Sequence, residues 1–446
     1  MHYDLIIKNG TIVTKEASFQ SDIAVKDGKI IKNEKLDKAD TACEVYDAEG
    51  KHILPGIIDA HVHFRDPGLT EKEDFETGSI AAVMGGITMI ADMPNVIPVT
   101  STVERFNEKL RIAKEKSYAD FAFFALLNNE NTHELEGLRA AGALGFKVFL
   151  GTSTGEIAAP DMPVLIQQME TCASSGIRIG FHCETSDINS FNTSICKNVI
   201  AAGNEKGILL SEARPVFSEA LAIQTAVCYA HYTKAKIHIH HITSLDGAIL
   251  AAEARNKGIA VSTETCPHYL VFDAEKHVHK VYPPIRTESH KNGLWEAIKK
   301  GVIDMIASDH APHLAAEKAL PVWEVPAGLC GVETMVPVML NEINNGKISI
   351  NEYVSLSSEA PAKIWGVYPQ KGNLNCGADA DITIVDMNLK RKIKSDALHS
   401  KSRTSPYDEM DIQGFPVATI IRGVFVMKDG VLTGQKGHAK LISPAL

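Results

Sequence analysis

The 446-residue sequence is poor in the features that mark several protein classes. It holds eight cysteines but no Cys-x-x-Cys pair and no spacing that suggests a disulfide framework. Small thiols in apolar runs read instead as packed, reduced side chains. No uninterrupted apolar stretch reaches the roughly 18 residues of a membrane span. The opening, MHYDLIIKNGTIVTKE, has neither a basic nor an apolar leader segment. Blocks of Lys or Arg are missing as well: 45 basic and 55 acidic residues give a net charge of −10. The even spread of that charge argues against nucleic acid or an anionic membrane as the main partner. A cytoplasmic protein acting on a small molecule is therefore expected. With 45% hydrophobic residues, the chain can build a large core and a second domain.

Eight short apolar runs are present between Ile57 and His310: Ile57–His63, Ile87–Pro94, Asp120–Leu126, Gly145–Leu150, Arg178–Cys183, Lys236–Ile242, Ile259–Cys266 and Ile303–His310. Segments of helical period separate them, including Asp74–Gly85, Val103–Lys116, Thr132–Ala141, Ser218–Thr233, Ala248–Lys257 and Lys291–Lys300. Strand and helix alternating at these lengths imply parallel βαβ units. A doubly wound open sheet is the alternative, but it favours a Gly-rich phosphate loop after its first strand, and none is present. The expected fold class is α/β, a (β/α)8 TIM-type barrel over residues 55–367.

Outside that region the pattern turns to strand and hairpin. DLIIKNGTIVT and SDIAVKDGKIIK alternate around Asn9-Gly10 and Asp27-Gly28, dipeptides favoured in tight turns, and Lys-Asp-Gly recurs at 428–430. Neither terminal tract is large enough for a stable sheet alone. Residues 1–54 and 368–446 are therefore expected to join as one small composite β domain, with two separate extensions packed on the barrel as the alternative.

Polar residues collect at the downstream ends of the runs: His61, His63, Asn95, Lys147, His182, His241 and Asp309. In a (β/α)8 barrel those ends converge on one site. His61 and His63, two apart on a strand, project from one face and make a divalent-metal half-site. In IHIHHITS the pleat puts His238 and His240 on one face and His241 on the other, and spacing does not say which face is the lumen. Lys147 lies in the middle of an apolar strand, where a cation is costly unless paired or neutral. It reads either as a snorkelling or paired lysine, or as a neutral amine that has taken up CO2 as a metal-bridging carbamate.

DAHVHFRDPG, ADMPN, GFKVFLG, FHCE, HHITS, CPHYL, YPPIR, IASDHAPH, GLCGVET and GADADITIVD occur in an order that resembles the dihydroorotases of the amidohydrolase superfamily over essentially the full length. The resemblance implies a barrel with a composite β domain and two Zn2+ per chain, bridged by carboxylated Lys147 and a hydroxide. His61, His63 and Asp309 would hold the more buried metal, and His182 and His241 the second. Asp309 would also act as catalytic acid and base. Arg65, Asn95 and His313 resemble the groups that hold the substrate carboxylate, and Arg suits that task through its planar fork. The implied reaction is the reversible hydrolysis of dihydroorotate to carbamoyl aspartate. Allantoinases and dihydropyrimidinases share the metals and form the enzymatic alternative. A non-catalytic scaffold for aspartate transcarbamoylase is the alternative of another class, and a homo-oligomer, preferably a dimer, is expected. Tyr282 stands where the family commonly has Asn before Pro-Pro, and PAGLCGVET is a variant loop. The loop GTSTGEIAAPD after Lys147 is expected either to close over the ligand or to be passive surface.

Overall fold

The structure, a computed structural model, describes residues 1–37, 39–151, 157–199 and 205–445. Eight parallel strands run in sequential order: β1 (Ile57–Val62), β2 (Ile87–Asp92), β3 (Asp120–Leu126), β4 (Gly145–Phe149), β5 (Ile179–His182), β6 (Ile237–Ile239), β7 (Val261–Thr265) and β8 (Met305–Ile306). Each expected run holds one of them. Every residue in all eight strands is buried, as befits strands covered by helices outside and packed side chains within. A parallel bridge from Val62 to His310 draws the first and last strands together. Asp59 reinforces that seam by accepting the Ser308 backbone N–H at 2.9 Å. The sheet is thus a nearly closed barrel of the (β/α)8 type.

Local chemistry starts the helices where the sequence changes period. Asp74 caps Phe75–Met84 by accepting from Thr77 N, Thr102 caps Val103–Lys116, and Ser244 caps Leu245–Asn256. Each satisfies a backbone donor that the first helical turn leaves unpaired. Longer excursions follow β5, where Ser186–Cys196, Glu205–Ala213 and Val216–Thr233 come before β6.

Both termini build the second sheet. His52–Pro55 pairs in parallel with His2–Val13 on one side and antiparallel with Ile382–Lys392 on the other, with Ile53 opposite Ile384. The N- and C-terminal strands therefore form one nine-stranded sheet with its own apolar core around Ile7, Ile23, Ile53, Ile382 and Ile420. Lys371 ties this sheet to the barrel. Its ammonium reaches Asp120 at the start of β3 at 2.6 Å, and Asp381 and Asp379 before the outer strand at 2.5 and 3.0 Å.

Asp27-Gly28 and Asp429-Gly430 do form tight hairpin turns, each with both residues in the left-handed region. Asn9-Gly10 does not. It lies inside the strand His2–Val13, where the register shifts between Ile7 and Gly10, which marks a bulge. Glycine is required there because a Cβ at position 10 would lie 2.4 Å from Ile53 Cδ1. All eight cysteines are free, and among the described residues no helix is long and apolar enough to cross a membrane.

Candidate metal centre

The strand ends converge on one cavity, lined by His61, His63, Arg65, Asn95, Lys147, His182, His241 and Asp309, with Phe149, Tyr282 and Gly328 also in its wall. His61 is the fifth residue of β1, and His63 follows the strand end. Asp309 Oδ1 lies 3.4 Å from His61 Nε2 and 3.3 Å from His63 Nε2. Tetrahedral ligands about 2.0–2.1 Å from a zinc ion sit roughly 3.3–3.4 Å apart, so these three donors are spaced for one metal. The second pair lies across the cavity: His182 Nδ1 and His241 Nε2 are 2.9 Å apart.

Burial holds His61, His63 and His241 well below the usual histidine range, and it lowers His182 as well. Neutral imidazoles are the ligating form. Three of the four are fixed from behind through their outer nitrogens, whereas His241 Nδ1 has no partner among the described residues. His61 Nδ1 donates to Glu264 Oε1 at 2.5 Å, His63 Nδ1 to Asn95 Oδ1 at 2.7 Å, and His182 Nε2 to Glu184 Oε2 at 2.9 Å. Such partners set the tautomer and aim the free lone pair. In all three rings it points into the cavity.

Lys147 is fully buried, and its Nζ has no hydrogen-bond partner. Burial brings its amine down to about 8, against the pull of Glu264 and Asp309. The nearest aromatic contact is the Phe149 ring, 4.9 Å from Nζ. A pairing or snorkelling role finds no partner among the described residues. The donor set and this orphaned amine fit a metal site.

Of the three neighbouring histidines, His241 is in the cavity lining, and His240 instead groups with His61 and Glu264. His238 and His240 share one face and both bond Glu264, at 2.9 and 3.0 Å. Strict alternation would send His241 outward, but the strand ends at Ile239 and His241 adopts φ +37°. That left-handed residue turns its ring back toward His182. Arg65 and Asp309 also have positive φ, +61° and +46°. Non-glycine residues in this region store strain, and three of them gather at one site.

Arg65 is 2% exposed. Its Nε donates to Pro312 O at 3.4 Å, while one terminal nitrogen has no partner. No carboxylate pairs with it among the described residues. His313 sits behind the wall rather than on it: Nε2 donates to Ala327 O at 3.0 Å and Nδ1 faces Lys72 Nζ at 3.3 Å. Burial, with the Arg65 and Lys72 charges, holds its ring down to about 3. Glu264 and Glu184 were not legible as site residues. The only signal was a carboxylate inside or just after an apolar run. Residues 152–156 of the loop after Lys147, expected either to close over the ligand or to be passive surface, lie outside the described residues.

Residues 52–431 match the model of the amidohydrolase family. The chain belongs to that family. It is 33% identical to the solved L-hydantoinase (dihydropyrimidinase) from Arthrobacter aurescens, with a TM-score of 0.95 over 99% of this chain and 100% of that one. An allantoinase from Deinococcus radiodurans is 34% identical over 100% of this chain and 99% of its own length. A dihydroorotase from Methanosarcina acetivorans is 32% identical over 98% and 95%. The amidohydrolase part of the expectation therefore stands. The dihydroorotase part does not stand out, since hydantoinases and allantoinases match somewhat better.

Proposed function

We propose that this chain opens a cyclic ureide whose ring carries a carboxylate, the class that includes dihydroorotate. The observation that carries this reading is the buried, unpaired guanidinium of Arg65 in the wall of the metal cavity. A desolvated cation without a counter-ion is costly, and a ligand carboxylate would complete it with two parallel hydrogen bonds.

Uncharged rings of the hydantoin and allantoin kind are the second reading. Higher similarity to enzymes of those names and Tyr282 in the ring-facing wall favour it. The two readings share a chemistry. N-carbamoyl aspartate can close through its side-chain carboxyl to the six-membered dihydroorotate, or through its α-carboxyl to the five-membered carboxymethylhydantoin. Either ring keeps one carboxylate for Arg65.

His61, His63 and Asp309 would hold one zinc ion, His182 and His241 a second, and a carbamate on Lys147 would join them. When bound, such metals supply Lewis acidity toward water and a carbonyl. The chain's own residues do the rest. Arg65 fixes the ring by its carboxylate, so the scissile amide is presented in one orientation. Asp309 is the only carboxylate among the described residues lining the cavity. It takes a proton from the attacking water and returns it to the departing ring nitrogen as the C–N bond breaks. A panel of dihydroorotate, carboxymethylhydantoin, hydantoin, dihydrouracil and allantoin tests the reading. The highest kcat/KM is expected on a carboxylated ring. Preference for an uncharged ring overturns it.

A further inference from the structure

Arg214 lies outside the cavity lining, on the segment after Glu205–Ala213, and is 7% exposed. It faces two walls of the site at once. Its Nε and one terminal nitrogen reach the two oxygens of Glu184 at 2.8 and 2.5 Å, a bidentate pair. Glu184 in turn accepts from His182 Nε2, and Asn189 donates to its other oxygen at 3.2 Å. The Arg214 Cζ also lies over the Tyr282 ring, 3.6 Å from the centroid. Tyr282 lines the cavity.

The chemistry of this arrangement is specific to arginine. Two parallel hydrogen bonds from Arg214 hold the Glu184 carboxylate in one orientation. So held, Glu184 accepts from His182 Nε2, which leaves the inner nitrogen of His182 its lone pair for a metal. The same guanidinium lies over Tyr282. A lysine offers a point charge without a fork or a stacking plane.

We propose that Arg214 is a positioning residue that couples the second metal half-site to the ring-facing wall: through Glu184 it aims His182, and by stacking it sets Tyr282 against the substrate ring. This deepens the proposed function and rests on it for the substrate half alone. It also gives Tyr282 a reason to replace a smaller polar residue, since the guanidinium offers the aromatic ring a platform.

Arg214→Lys tests both halves. In chelator competition with zinc alone, the variant should bind one of its two zinc ions about 10–100-fold more weakly, the range for loss of such a partner, with the other unchanged. This readout needs no substrate, so it stands apart from the identity of the ring. With zinc in excess, kcat on the best substrate of the panel should recover while KM stays raised, because metal restores His182 but not the platform under Tyr282. Unaltered affinity for both zinc ions overturns the link to His182. Full recovery of KM in excess zinc overturns the link to Tyr282. Should Arg214→Lys not fold, Tyr282→Leu carries the second half: both zinc ions retained with a raised KM is the expected result, and an unchanged KM overturns it.

Discussion

His63 Nδ1 lies 2.7 Å from Asn95 Oδ1, so a side chain expected at the substrate carboxylate also holds a candidate metal ligand in its tautomer. Asn95→Ala should therefore weaken zinc binding by about 10–100-fold before any substrate is added. Asn95→Asp, which keeps the acceptor, should bind zinc nearly as the wild type does. Isothermal titration of the metal-free protein checks this. If Asn95→Ala moves KM alone, Asn95 serves only the substrate.

Lys147 carries the pH prediction. Burial lowers its amine to about 8. Its neutral fraction is thus roughly a tenth at pH 7 and about nine-tenths at pH 9. Only the neutral amine adds CO2. Carbamate formation in labelled bicarbonate should rise through pH 8 and level off near pH 9, read as a new carbon signal by NMR. Lys147→Arg should show none, because arginine stays protonated. A signal that is absent from the wild type at every pH, or that persists in Lys147→Arg, contradicts the assignment.

Lys371 supplies a stability prediction that leaves the site alone. Burial opposes its charge, but Asp381, Asp120 and Asp379 outweigh that and raise its pKa above the ordinary 10.5. Its contribution is therefore complete below that ordinary value and is lost as the pH climbs through the raised one. Lys371→Met leaves buried Asp381 without its cation, while Asp120 keeps Arg422 and Asp379 keeps Lys29, and should cost about 3–5 kcal/mol. Chemical denaturation at pH 7.5 measures the loss. Zinc affinity should not change, because the clamp joins the outer sheet to the start of β3, at the opposite end of the barrel from the ligands. A loss under 1 kcal/mol, or a parallel loss of zinc, would count against this role.

What was legible in the sequence follows from period and polarity. A buried parallel strand is a continuous apolar run, so a polar residue within it or at its end stands out, and Lys147 on the first count and His61, His182 and Asp309 on the second were visible for that reason. Side-chain direction was not. His241 needed a left-handed backbone residue that alternation does not anticipate, and Asn9-Gly10 looks like a turn until the neighbouring strand shows that it is a bulge. Glu264, Glu184 and Arg214 act on ligands from elements far away in the chain. Glu264 is 203 residues from His61, and Arg214 is 30 from Glu184. Such partners leave no local pattern. The substrate was legible only as far as Arg65, because no other residue of the cavity wall carries a charge that names a ligand group from sequence alone.

Arg65 is proposed to receive the substrate carboxylate. The most direct measurement of that role is the ratio of kcat/KM for a carboxylated ring to that for its uncharged counterpart, dihydroorotate against dihydrouracil, in the wild type and in Arg65→Met. A desolvated charge-assisted pair predicts a loss of about 2–5 kcal/mol on dihydroorotate and a much smaller one on dihydrouracil, so the ratio should collapse while both zinc ions stay bound. An equal loss on both substrates, with the ratio unchanged, would contradict the account and assign Arg65 to the architecture of the site.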